Sequence, residues 1–148
     1  METLWFYYWG APTMHCNEHV TFGYGSMGAA QLRADGFCSV RASRFQGTLV
    51  TKPFVWPGGT LLVNALALGG GGHGGVKAEV LTEALSPAAG LGKEEADVFR
   101  GDGTRLVQSW RGRPQAIDGI TGQRIRLRFH VDYADLFSFR SSLKDQCA

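Results

Sequence analysis

Apolar and polar positions alternate along this chain in many short runs, each stopped by glycine or proline. The clearest run is 123–131: Ile125, Leu127, Phe129 and Val131 fall on one side, and Arg124, Arg126, Arg128 and His130 on the other. Strict period two predicts a strand with one face on a core and the other toward solvent or a ligand. Residues 76–82 repeat the alternation, 60–68 form the longest apolar strand candidate, and 37–40, 47–51, 54–56, 104–110 and 136–140 predict shorter strands. Pro57-Gly58-Gly59, Arg100-Gly101-Asp102-Gly103 and 132–135 read as turns. The glycine tract 69–75, interrupted only by His73, predicts a flexible hairpin loop. Residues 83–96 are weakly helical but broken by Pro87, Gly90 and Gly92, so a loop is expected there, and 117–122 should be a connecting turn. Many short strands with almost no helical period predict an all-β fold, an antiparallel β-sandwich of jelly-roll-like type.

The pattern breaks at Asp35-Gly36, inside 32–40, and restarts in a new direction. This seam divides the chain into an N-terminal β stub at 1–34, a sandwich at 35–140 and a flexible polar tail at 141–148. In the stub, Leu4-Trp5-Phe6-Tyr7-Tyr8-Trp9 is an unbroken β-favouring run closed by Gly10-Ala11-Pro12. Such a run predicts a strand buried on both faces, central in a sheet or at an interface. Residues 20–25 alternate and lead into small residues, Ser26-Met27-Gly28-Ala29-Ala30.

Composition narrows the function classes. With 148 residues, 44% of them hydrophobic and 19% charged, the chain has the balance of one folded domain. A net charge of +2, from 15 Lys and Arg scattered among 13 Asp and Glu, gives no basic stripe for nucleic acid. Apolar runs fall far short of the roughly 20 residues of a membrane-spanning helix. The three cysteines, Cys16, Cys38 and Cys147, share no metal-type spacing, and the aromatic start lacks the features of a signal peptide, so a reduced cytoplasmic setting is expected.

Several segments together resemble the C-terminal end of bacterial proteins related to the invertase and levanase group of glycoside hydrolases, which have a five-bladed propeller followed by a β-sandwich. Leu4-Trp5-Phe6-Tyr7-Tyr8 resembles the closing strands of a last blade, and Ala30-Gln31-Leu32-Arg33-Ala34-Asp35-Gly36-Phe37 the passage out of the propeller. The sandwich is matched by Gly47-Thr48-Leu49-Val50-Thr51-Lys52-Pro53, by Gly101-Asp102-Gly103-Thr104-Arg105 before Trp110, and by Arg126-Leu127-Arg128-Phe129 followed by Ala134-Asp135-Leu136-Phe137-Ser138-Phe139. The resemblance implies an accessory sandwich beside a sugar-cleaving propeller, and it carries no catalytic position onto this chain.

Candidate chemistry is sparse. Glycoside hydrolysis needs two carboxyl groups about 5 to 10 Å apart. Asp97, Asp102, Asp118, Asp132 and Asp135 are available, but nearly all sit in predicted turns, where Asp caps the backbone. His15, Cys16 and His19 match no closed zinc site. Cys38 reads as a small buried strand residue rather than a nucleophile. The glycine tract lacks the Lys-Ser or Lys-Thr ending of a phosphate loop. Sugar binding asks for aromatic faces with a polar rim, which Trp56, Trp110 and Tyr133 with Arg126, Arg128 and His130 could supply, unless the tryptophans are core. An enzyme on this scaffold would pair a carboxylate with His73 or His130 beside a cleft. No cofactor or metal is expected. Trp5, Phe6, Tyr7, Tyr8 and Trp9 form the expected interface, covered most simply by a second copy of the chain. The expectation is a non-catalytic module acting in binding or assembly, with an oligo- or polysaccharide or a second copy as partner.

Overall fold

The computed structural model describes residues 2–11, 25–67 and 74–143. Those residues hold ten strands: β1 (Thr3–Gly10), β2 (Ser26–Arg33), β3 (Val40–Ala42), β4 (Gly47–Val50), β5 (Phe54–Val55), β6 (Leu61–Ala67), β7 (Gly75–Thr82), β8 (Gly101–Val107), β9 (Arg124–Asp132) and β10 (Ala134–Ser141). A 3₁₀ helix at Pro114–Ile120 precedes β9, where a simple turn was expected. One sheet runs β3-β10-β6-β8, and a second centres on β9, flanked by β4 and β5 on one edge and β7 on the other. β1 and β2 form a separate two-stranded ribbon. The fold is all-β, with antiparallel sheets packed against each other in a sandwich-like arrangement.

The core follows from the alternation in β9. Ile125, Leu127, Phe129 and Val131 are all buried, and β7 sets Val80, Ala78 and Val76 beside the last three of them in register. The facing sheet supplies Leu61, Val63, Ala65 and Ala67 from β6. Full burial of each large aliphatic or Phe side chain contributes about 1.5–3 kcal/mol. A register shift between Leu136 and Ser138 breaks the period in β10. An extra residue there lets both Leu136 and Phe139 reach the core, although they are three apart in sequence. Phe139 then meets Phe129 at 5.2 Å and Phe54 at 6.0 Å between ring centroids, joining the two sheets.

The free edge of β7 is closed by the segment that follows it. Val76 exchanges backbone hydrogen bonds with Phe99, the Val80 amide donates to Leu91, and the Thr82 amide donates to Ser86. Between them, the Ala78 amide donates to the side-chain oxygen of buried Gln108. That explains residues 83–99: they form no helix because their backbone is committed to covering a sheet edge.

Several sequence expectations change. The turn at 132–135 shrinks to Tyr133, whose φ of 42° carries the chain from β9 in one sheet to β10 in the other. Gly101 and Asp102, read as a turn, begin β8 and pair with Ala67 and Leu66. Cys38 is exposed and outside any strand, not a buried strand residue. The Pro57-Gly58-Gly59 turn is present, with both glycines at positive φ, 102° and 73°. His15, Cys16, His19, His73 and Cys147 lie outside the described residues, as do most of 20–25, most of the glycine tract and 144–148 of the predicted tail.

Candidate functional site

The expected aromatic sugar platform does not form. Trp56 and Trp110 are 1% and 0% exposed, in the core among the buried aliphatics, and cannot stack on a ligand. The reason is volume: a small sandwich needs large side chains to fill the space between its sheets, and tryptophan supplies the most. Of the three aromatics only Tyr133 is exposed, its hydroxyl 3.4 Å from the Arg44 carbonyl oxygen it donates to. Arg126, Arg128 and His130 do share the outer face of β9. Arg126 donates to the Thr51 and Glu83 carbonyls. Arg128 and His130 converge instead on Glu79 of β7, with Arg128 Nη1 and His130 Nε2 each 2.9 Å from its Oε1. Glu79 and His130 are both buried.

This carboxylate–imidazole pair lies beside a cleft of about 240 Å³ lined by Gln46, Lys77, Lys93, Arg100, His130 and Asp132. It is the arrangement an enzyme on this scaffold would need. Yet Glu79 Oε1 already serves two donors, and among the described residues no hydroxyl or thiol is hydrogen-bonded to His130. Among the described residues the pair ties β7 to β9 across the sheet face.

Three of the candidate carboxylates serve structure, and a fourth, Asp132, lines the cleft. Asp97 accepts from Ser109 Oγ and from the Gly112 amide at 2.7 Å, the turn capping expected of it. These bonds, the Ser109 hydroxyl first, hold its carboxyl below the usual range. Asp102 and Asp135 are strand residues in ion pairs, the former with Arg33, the latter with Arg41 at 2.8 and 2.9 Å and with Ser39 at 2.9 Å. The Arg41 hydrogen bond holds the Asp135 carboxyl below its ordinary value against the opposing effect of burial. A depressed folded-state pKa gives stability that is complete above the unfolded value of about 3.9 and is lost as pH falls through the lower folded one. Asp135→Asn should therefore be less stable than the parent at pH 7, with the gap closing below about pH 4 as the parent's carboxyl is protonated. Thermal melts across that range check it, and a gap that persists at low pH would remove Asp135 from the acid response. No group of three or more His, Cys, Asp and Glu among the described residues could hold a metal ion.

The other prominent surface is the β1–β2 ribbon. The strand expected at 4–9 forms, but it is exposed along its whole length instead of buried on both faces. Trp5, Tyr7 and Trp9 are 54%, 72% and 63% exposed on one face, beside Met27 at 78%. On the opposite face Phe6 and Tyr8 are 43% and 58% exposed, and Phe6 meets Phe37 edge to face. The sequence supplied the hydrophobicity that makes the strand, but burial needs another layer, which the described residues do not provide. Small partners suit the large rings: Tyr8 pairs with Gly28, where a Cβ would come within 2.4 Å of the tyrosine ring.

The ribbon is rooted firmly at one end. Arg33, its last residue, donates to Asn64 and Asp102 and lies 4.5 Å from the centre of the Phe137 ring. Buried Asn64 donates in turn to the Ala34 carbonyl at 2.8 Å. Glu2 pairs with Arg105 and Arg140. These polar contacts were missed in the sequence, because a lone Asn in an apolar strand gives no sign of its partner.

Fold and site together define an all-β, sandwich-like protein with a projecting aromatic ribbon and a cationic cleft. No protein-family model, no curated protein and no solved structure matches the chain.

Proposed function

We propose that this protein is a non-catalytic β-sandwich module that acts in assembly, and that its β1–β2 ribbon associates with the ribbon of a second copy. The observation that carries this reading is a strand with five consecutive aromatic residues left exposed on a ribbon with no third strand among the described residues. Trp5, Tyr7 and Trp9 share one face of that strand and expose roughly 400 Å² there per chain, within the range of the largest patch on a monomer, which is often functional. Residues 3–11 and 25–32 contain no Asp, Glu, Lys or Arg, so nothing repels a second copy and no edge charge blocks strand pairing. The face bearing Trp5, Tyr7, Trp9 and Met27 is the more exposed and is the contact surface. The resemblance of residues 4–8 to closing strands of a propeller blade supports the same reading, since such strands are covered by further β-structure.

Light scattering at micromolar concentration should give twice the chain mass. The combined substitution Trp5→Ser, Tyr7→Ser and Trp9→Ser should return the mass to that of a monomer with the parent's circular dichroism spectrum, because these side chains are exposed in the single chain. A monodisperse parent monomer would overturn the proposal.

A further inference from the structure

The cleft beside His130 is independent of the ribbon and points to a ligand of its own. Its walls carry three cations, Lys77 on β7, Lys93 in the segment covering the β7 edge, and Arg100 just before β8, against one carboxylate, Asp132. Of the described cations outside the cleft, Arg33, Arg41, Arg105, Arg111, Arg124, Arg128 and Arg140 each have a carboxylate partner, while Arg44, Lys52, Arg113 and Arg126 are dispersed and make no ion pair among the described residues. Among the described residues none of the three cleft cations makes an ion pair. Two of them are held by neutral backbone instead. Lys77 Nζ donates to the Lys93 carbonyl at 2.9 Å, and Arg100 Nε donates to the Gly74 carbonyl at 3.1 Å. A carbonyl fixes a cation in place without cancelling its charge, so the positive field stays in the cleft.

The walls are set by backbone as well as side chains. A Cβ on Gly75 would lie 2.8 Å from the Phe99 carbonyl oxygen, so only glycine lets β7 approach the far wall this closely. The Val76–Phe99 backbone pairing locks that approach. On the floor, the Glu79 bond fixes the His130 ring. Like charges brought together in a fixed, partly enclosed space repel one another unless an anion joins them, and charge-assisted hydrogen bonds from Lys and Arg to oxyanions are among the strongest available.

We infer that this cleft binds a small molecule through an oxyanion, a phosphate, sulfate or carboxylate group, held by Lys77, Lys93 and Arg100. At about 240 Å³ it lies below the size of pockets for larger ligands and suits a group of roughly one ring or less.

Calorimetric titration of the full chain with inorganic phosphate, sulfate and glucuronate, at ionic strength held constant with chloride, tests the site. At least one should bind saturably in the millimolar range or tighter. The double substitution Lys93→Gln and Arg100→Gln should weaken that binding by about tenfold or more, with an unchanged circular dichroism spectrum. Preference for phosphate or sulfate would assign a phosphorylated or sulfated ligand, and preference for glucuronate a carboxylated one. If the double variant does not fold, Lys93→Gln alone, with ligand-induced amide shifts followed at residues 77, 93, 100 and 130, gives the same decision. Absence of saturable binding by all three, or binding unaffected by the substitutions, overturns the inference.

Discussion

Replacing Trp110 with alanine is expected to lower the free energy of unfolding by about 4 kcal/mol, the range for removing a buried aromatic side chain. Trp110 is completely buried and stands where three segments meet: its backbone bridges to Ala96 and Arg113, and its ring belongs to the core. Alanine would leave a cavity that the bridged backbone cannot collapse to fill. A domain of this size has about 5–15 kcal/mol in total, so the variant would be near its folding limit at 37 °C. Trp110→Phe should behave quite differently. The indole Nε1 is buried with no hydrogen-bond partner among the described residues. Phenylalanine deletes that unpaired donor along with some volume, and the two effects oppose, leaving a net change under about 1.5 kcal/mol. Urea unfolding of both variants checks the contrast. An alanine variant of parental stability would show that Trp110 is not core and reopen its role as a ligand platform.

What could be read from the sequence is what local pattern determines. The alternation in 123–131 shows which side of β9 is buried because a strand's two faces differ by one residue and only one face meets a core. The aromatic run at 4–9 announced a strand equally well, and its burial was misjudged because apolar side chains on both faces describe a buried strand and an unpartnered one alike. The tryptophans show the same ambiguity from the other side: Trp56 lies between Val55 and Pro57 and Trp110 between Ser109 and Arg111, and nothing local separates a core ring from a binding ring. Non-local features left no trace at all. Tyr133 is the residue that switches sheets, yet tyrosine is no turn former, and only the packing of β9 and β10 in opposite layers holds it at positive φ. The cationic cleft joins Lys77, Lys93 and Arg100, which scattered singly along the chain suggested no site.

Glu79 is the second residue whose loss should be severe. Its side chain is 3% exposed and accepts from both Arg128 and His130, whose side chains are 30% and 8% exposed. Glu79→Leu would strand an arginine against a sheet face with only partial access to water, and removing one partner of a buried pair costs about 3 kcal/mol or more. Most of that cost comes from the cation left behind rather than from the bond itself. A second substitution should therefore recover it: Glu79→Leu with Arg128→Met replaces the pair by apolar side chains, and its destabilisation should fall at least 1 kcal/mol short of the sum of the two single changes. A double-mutant cycle by chemical denaturation measures this directly, and strict additivity would mean that Arg128 reaches solvent freely and that Glu79 serves chiefly to hold His130. In either case the carboxylate at 79 fixes the floor of the cleft, because the His130 ring it bonds is also part of the cleft wall. The alternation of charges on β9 and the single acid on β7 are thus one device: the sheet's outer face is polar enough to carry a site and neutral enough, at Glu79, to stay folded beneath it.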